Sequence, residues 1–512
     1  MTSRLFACIL YFALMLGIGI YFFVRSKSTS DKDYFLGGRS MGPFVTAMSA
    51  QASDMSGWLL MGFPGSILAF GVGQVWIGIG LGLGTILNWI IVATRLRRFS
   101  EAANDSITLP QYLTNRFASK SSALKVICAV IFFISFTVYV ASAFNAGTTV
   151  FVAIIPSLEG NEGLAMVIFA LIVLAYTFLG GFSAVCWTDF FQGLLMLVAL
   201  LAVPIVMKTT GTFNPEYATA FKEGVSAFGQ NPFDASWQDV VSGLGWGLGY
   251  FGMPHIIVRF MSIRKASEIK KSALVAIIWV VLTLTAAILI AWFGRTYVLS
   301  NGVGLADVLL PNGQKNVFIR IVVDIFPGFV AGILLSAIIA ASMSTADSQL
   351  LVASSAITSD IYRPLRKEAS DKEILWVGRI VVLIVAILAF IIAFAGLGDP
   401  TSWAANIMNM VESAWGLFGS SFGPVVILSL FWKRFNYQGA VAGILAGAIV
   451  DIAWLLCFTS TIMEALVTNT GVYEIVPGFI ASVIAAIVVT LITPAPSKEV
   501  EEIYEKALTI DC

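Results

Sequence analysis

Charge is the scarcest commodity in this 512-residue chain. Asp, Glu, Lys and Arg supply 12% of it, while 58% is hydrophobic. A soluble globular domain carries roughly twice that share of charge. A single histidine leaves little for a His-based zinc site or a catalytic triad. The five cysteines, Cys8, Cys128, Cys186, Cys457 and Cys512, are scattered without any C-x-x-C and read as small buried apolar residues. No G-x-x-x-x-G-K-[ST] occurs, so there is no P-loop with which to hydrolyse ATP. No basic patch with interleaved aromatics marks a nucleic-acid partner. The longest polar segments, 208–238, 95–122 and 359–373, leave no room for a catalytic or signalling domain. Together these absences argue against an enzyme.

What is abundant is apolar sequence. Mean hydropathy is +0.89, and runs near twenty residues recur from end to end, each long enough to cross about 30 Å of hydrocarbon. The expectation is an all-α polytopic membrane protein in contact with lipid, with about 13 transmembrane helices. They are placed at 5–24, 42–70, 72–94, 123–153, 163–186, 188–207, 239–261, 272–298, 317–346, 374–397, 403–431, 438–460 and 474–493. The first is read as a retained span rather than a signal peptide. Its run is long for an h-region, no A-x-A follows it, and Arg25 and Lys27 come directly after. With the N-terminus outside, 24 of the 30 Lys and Arg residues fall in inner loops and flanks, Lys27 and Arg259 among them, and 6 fall outside, Lys222 among them. That split predicts an external N-terminus and a cytoplasmic C-terminus.

Two spans are broken in sequence. "ASDMSGWLLMGFPGS", Ala52 to Ser66, puts Ser53, Asp54 and Ser56 beside Gly57, Gly62, Pro64 and Gly65. Its hydroxyls and carboxylate compete for backbone hydrogen bonds, and Gly and Pro weaken the helix. A kinked packing helix is one reading. The other is functional, because an intramembrane carboxylate is costly. "GLGWGLGYFGMPH", Gly243 to His255, interleaves glycine with Trp246, Tyr250 and Phe251. Here glycines for close helix packing stand against an aromatic wall for a small organic molecule. With the first span set aside, spans 2–6 and 7–11 form two sets of five, each opening on a broken helix. Five is odd, so the second set enters from the opposite side. Paired interruptions in inverted halves point to a midplane site in a secondary transporter.

Other polar positions stay open. "AASMSTADSQ" ends the predicted ninth span with Ser342, Ser344, Thr345, Asp347 and Ser348. These hydroxyls either bond their own helix or offer neutral hard oxygens to a small alkali cation. Asp189 lies at an inner boundary, either solvated or functional. Glu412 and Asp451 are snorkelling boundary residues or pathway groups. His255 is structural or a proton relay.

The motifs "SDMSGWLLMG", "GGFSAVCWTDFFQ", "GWGLGYFGMPHIIVRFM", "AGILLSAIIAASMST" and "FGPVVILSLFWKRFNYQGAVAGILAG" carry a resemblance over nearly the whole chain. The chain resembles the solute:sodium symporter family, most closely its bacterial sodium/proline branch. The resemblance implies a LeuT-type 5+5 inverted repeat with flanking helices. It divides the chain into 1–38, 39–207 (first repeat), 208–238 (external loop), 239–431 (second repeat), 432–493 and a cytoplasmic tail, 494–512. It implies Na+ as coupling ion, held by the carbonyls of Ala52, Met55 and Ala341 and the hydroxyls of Ser344 and Thr345. Ser56, Trp58, Tyr139, Trp246, Tyr250 and Pro254 would bind L-proline, and Asp54 and Asp189 would couple the ion. A bacterial inner-membrane location follows, and a monomer suffices. Met253, Glu412 and Asp451 depart from the family pattern. The readings that remain beside Na+-coupled proline uptake are symport of another small amino acid or carboxylate, and a transporter-like membrane sensor.

Overall fold

The computed structural model describes residues 3–25, 31–179, 181–211, 231–300 and 313–510. Lys27, Lys222, Cys512 and most of the predicted external loop lie outside them. Among the described residues, regular secondary structure is helical throughout. Ten helices among these residues are long and apolar enough to cross a bilayer. Glu162–Leu179 is a further, shorter apolar helix, and two more spans are interrupted, which restores the thirteen read from sequence.

In chain order, spans 1 to 6 are Ser3–Arg25, the broken Pro43–Asp54 with Phe63–Phe70, Val72–Ala102, Ala123–Ile154, Glu162–Leu179 and Phe182–Thr209. Span 7 is the broken Trp237–Gly245 with Pro254–Ser262. Spans 8 to 13 are Ile269–Ser300, Gly328–Leu365, Asp371–Gly398, Ile407–Phe431, Tyr437–Cys457 and Ile475–Ile492.

Packing between spans repeats with a shift of five. Span 2 packs on span 6 as span 7 packs on span 11. Span 2 meets span 8 as span 7 meets span 3, and span 4 meets span 11 as span 9 meets span 6. Spans 4 and 9 pack on each other, as do 5 and 10 and the two broken spans, 2 and 7. A contact map that maps onto itself when every span number moves by five is that of two equivalent five-helix units clasped together.

Two boundaries differ from the expectation. The fifth span ends at Leu179 and the sixth starts at Phe182, not near residue 187, so Asp189 lies two turns inside span 6. The ninth span does not begin at 317. A separate amphipathic helix, Val317–Ile325, comes first, Pro327 caps the next, and Gly328–Ile357 runs on unbroken. Ser344 and Thr345 are therefore mid-helix, in a fully buried segment.

Candidate functional site

The first break has a simple local cause. Helix Pro43–Asp54 stops at Met55, whose backbone turns to φ −81°, ψ 77°, and Ser56 N–H closes a tight turn onto Asp54 O at 2.9 Å. The chain restarts as a π-helical turn, Trp58–Gly62, and regains α geometry at Phe63. Pro64 falls in the first turn of that helix, where its missing N–H breaks nothing. Gly57 is required by proximity: a Cβ there would lie 2.6 Å from Ala146 Cβ and 3.0 Å from Ser342 Oγ.

Stopping the helix leaves its last carbonyls without intrahelical partners. One of them, Ala52 O, accepts a hydrogen bond from Ser344 Oγ at 2.7 Å. The same hydroxyl lies 3.2 Å from Ala341 O. So one carbonyl of span 2, that of Ala52, meets the Ser344 hydroxyl of span 9. Thr345 Oγ1 is fully buried beside them and has no hydrogen-bond partner. A hydroxyl of that kind in a helix would ordinarily bond its own i−4 carbonyl, as Thr148 and Thr177 do here. Met55 is buried at the turn itself. Neutral oxygens on two facing elements are a donor set that suits a hard monovalent cation.

Asp54 is fully buried, and its Oδ2 accepts a hydrogen bond from Tyr250 Oη at 2.6 Å. That bond ties the first break to the second. In span 7, Trp237–Gly245 passes into a 3₁₀ turn, Trp246–Phe251, and Pro254 then opens the inner half. The glycines of this stretch serve close packing. Gly243 and Gly247 lie against the backbone of span 3, and Gly249 against the Trp415 ring. Trp246 lies 6.2 Å from Trp58, centroid to centroid, and Tyr250 meets Trp415 edge-on at 5.1 Å. Tyr139 Oη lies 3.5 Å from Asp54 O. Ser56, Trp58, Tyr139, Trp246, Tyr250 and Pro254 are all buried around this junction.

Asp189 is not a solvated boundary residue. It is fully buried and paired with Arg259 at 3.2 Å. Ser49 Oγ donates to Asp189 Oδ2 at 2.6 Å, and Arg259 also donates to Ser49 Oγ, Ser348 Oγ and His255 O. Counting Arg259 among the inner-flank charges was therefore wrong: it is 1% exposed, inside span 7. The pair bolts spans 2, 6, 7 and 9 together one turn from the Ala52–Ser344 contact. Ser49 was missed, though its spacing of three from Ala52 puts it on the same helix face, as the spacing of four from Ser344 does for Ser348. Trp415 was also missed, and its indole N–H donates to Trp246 O at 2.8 Å. No sequence signal distinguishes it from a core tryptophan. His255 meets Phe136 and Tyr139 edge-on, a packing role.

A family model described as the sodium:solute symporter family matches residues 34–447. The chain belongs to that family. Two relatives in it are an osmoregulated proline transporter of Bacillus subtilis (strain 168), 41% identical over 96% of this chain and 94% of its own, and a sodium/proline symporter of Escherichia coli (strain K12), 41% identical over 98% and 95%. Among solved structures, a Na+-coupled sialic acid symporter in a substrate-bound outward-open state superposes with a TM-score of 0.72. It covers 97% of this chain and 98% of its own at 21% identity, so that likeness concerns the fold. The family fold is the five-plus-five inverted repeat that the packing symmetry describes.

Proposed function

We propose that this protein couples inward movement of Na+ to uptake of L-proline by alternating access, in the inner membrane of a bacterium. The observation that carries the reading is the meeting of Ser344 Oγ with Ala52 O at 2.7 Å, beside the unpartnered Thr345 hydroxyl. It makes a neutral oxygen shell out of a helix break. Ala52, Met55, Ala341, Ser344 and Thr345 hold the ion. Ser56, Trp58, Tyr139, Trp246, Tyr250 and Pro254 hold the amino acid, its apolar ring against the indoles. The repeats run 39–207 and 239–431, the N-terminus faces outward and the C-terminus inward, and one chain suffices. The proline in the names of the 41%-identical relatives supports the choice of solute.

The two ligands share the Met55–Gly57 turn. Na+ on the Ala52 side fixes the turn, and Asp54 carries that order to Tyr250 through their hydrogen bond, so each ligand organises the other's site. Moving one charge across about 100 mV releases roughly 2.3 kcal/mol, and a tenfold Na+ gradient adds about 1.4 kcal/mol. At one Na+ per proline, the two terms support accumulation on the order of 500-fold. Uptake of a labelled amino-acid panel into proteoliposomes, with and without a Na+ gradient, tests the reading. Proline should accumulate only with the gradient, and gradient-independent equilibration would refute it.

A further inference from the structure

Three carboxyl groups have no part in that scheme, and they meet at one end of spans 11, 12 and 13. Glu474 is fully buried, and neither of its carboxylate oxygens has a hydrogen-bond partner. Asp451 is 1% exposed. Its Oδ2 accepts from Ser420 Oγ at 2.8 Å, and its Oδ1 has no partner. The absence of a side chain at Gly416 brings them together. A Cβ there would lie 3.2 Å from Asp451 Oδ2 and 3.3 Å from Glu474 Cγ. Glu412, one turn before Gly416, interacts electrostatically with Glu474, as Asp451 does.

The cluster is not sealed. Glu412 and Glu474 line a cavity of about 470 Å³ together with Trp246, Tyr473, Asn409 and Asp239, and among the described residues no Lys, Arg or His lines it. Lys315 faces Glu412 across a neighbouring cavity. Asp451 and Glu474 are buried side by side, and with Lys315 only across the neighbouring cavity from Glu412, ionising all three carboxyls together is costly. Among the described residues, no three acidic groups are placed to share a metal ion. The unpartnered oxygens of Glu474 and Asp451 are open to a proton.

We propose that Glu412, Asp451 and Glu474 form a shared proton-binding site at the rim of the solute pocket, and that its protons keep the Trp246 wall in its solute-binding position. The link is Tyr473. Its ring packs on Trp246 at 5.2 Å, its hydroxyl donates to Glu412 O at 2.8 Å, and it is joined directly to Glu474. Protons arrive from water in the cavity and bind carboxylate oxygens. Their loss sets like charges on three spans against one another and draws Tyr473 off the indole. The coupling rests on the placement of Trp246 in the solute pocket proposed above.

The test is equilibrium proline binding to the purified full-length protein in Na+ between pH 6 and 9. Calorimetry in buffers of differing ionisation enthalpy adds the proton uptake. Parent affinity should fall about 5-fold or more as pH rises, with protons taken up on binding. Glu474→Gln and Asp451→Asn, which mimic the protonated forms, should keep the low-pH affinity at pH 9 and lose the uptake. A pH-independent parent with no proton uptake overturns the proposal, even where a variant fails to fold. So does either variant keeping the parental pH slope. Ca2+ tightening proline binding in the parent but not in Glu474→Gln would replace the proton with a metal ion. A parent that binds no proline at any pH sinks the pocket assignment instead. The infrared band of protonated carboxyls at neutral pH, weaker in Glu474→Gln, would still report the cluster, and an unchanged band would refute it.

Discussion

Removing one member of the Asp189–Arg259 pair should cost more than half of what removing both costs. Breaking a buried ion pair from one side leaves an uncompensated charge and costs about 3–5 kcal/mol. The hydrogen bonds rank the two single variants. In Asp189→Asn, Arg259 keeps Ser49 Oγ, Ser348 Oγ and His255 O, so the loss should sit near 3 kcal/mol, about 150-fold in the folded-to-unfolded ratio. In Arg259→Met, Asp189 keeps only the Ser49 hydroxyl, and the loss should approach about 5 kcal/mol. The double variant leaves neither charge, so its cost should fall below that of Arg259→Met alone and well short of the sum. Denaturant titration in mixed micelles, followed by tryptophan fluorescence, gives all three values. Additivity within about 0.5 kcal/mol, or Asp189→Asn costing more than Arg259→Met, would refute the reasoning.

Thr345→Ala removes one neutral oxygen and should weaken Na+ binding by at most about 3 kcal/mol. Calorimetry should also show the factor by which Na+ tightens proline, and proline tightens Na+, shrinking together. Unchanged Na+ affinity would leave Thr345 a bystander. Trp246→Ala and Tyr250→Ala should each raise the apparent KM for proline roughly 5–150-fold, an aromatic wall being worth about 1–3 kcal/mol, and that for Na+ far less. Equal effects on both would misplace the pocket. A cysteine at Ser226 should react with an impermeant thiol reagent from outside and one at Ser370 only from inside; the reverse pattern inverts the topology. Partial burial of Asp105 works against its ionised form, but Lys32 and Arg39, which bond it, outweigh that and hold its carboxyl below the usual aspartate range. A depressed value stabilises the fold at neutral pH, and the contribution fades as pH falls below about 3.9. Thermal melts near pH 3 and pH 7 should therefore differ less in Asp105→Asn than in the parent.

The sequence alone was enough for the membrane class, the span count and the two breaks. Each rests on local chemistry: twenty apolar residues need no tertiary partner to prefer hydrocarbon, and Gly, Pro, Ser and Asp disrupt a helix wherever they cluster. The grouping of Ala52, Ser344 and Thr345 was legible through family resemblance, not through spacing, since nearly three hundred residues separate the two stretches. Pairings across spans were decided only by the tertiary structure. Arg259 reads as an inner-flank charge until spans 2, 6, 7 and 9 close around it. Asp189 reads as a boundary residue until Gly181 is seen to start its helix. Glu412 and Asp451 stayed undecided because a carboxylate in a span takes its meaning from what lies opposite: Glu474 comes from elsewhere in the chain for both, and Ser420 and the gap at Gly416 do so for Asp451. Periodicity reports which face of a helix is apolar, whereas only packing reports which other face it meets.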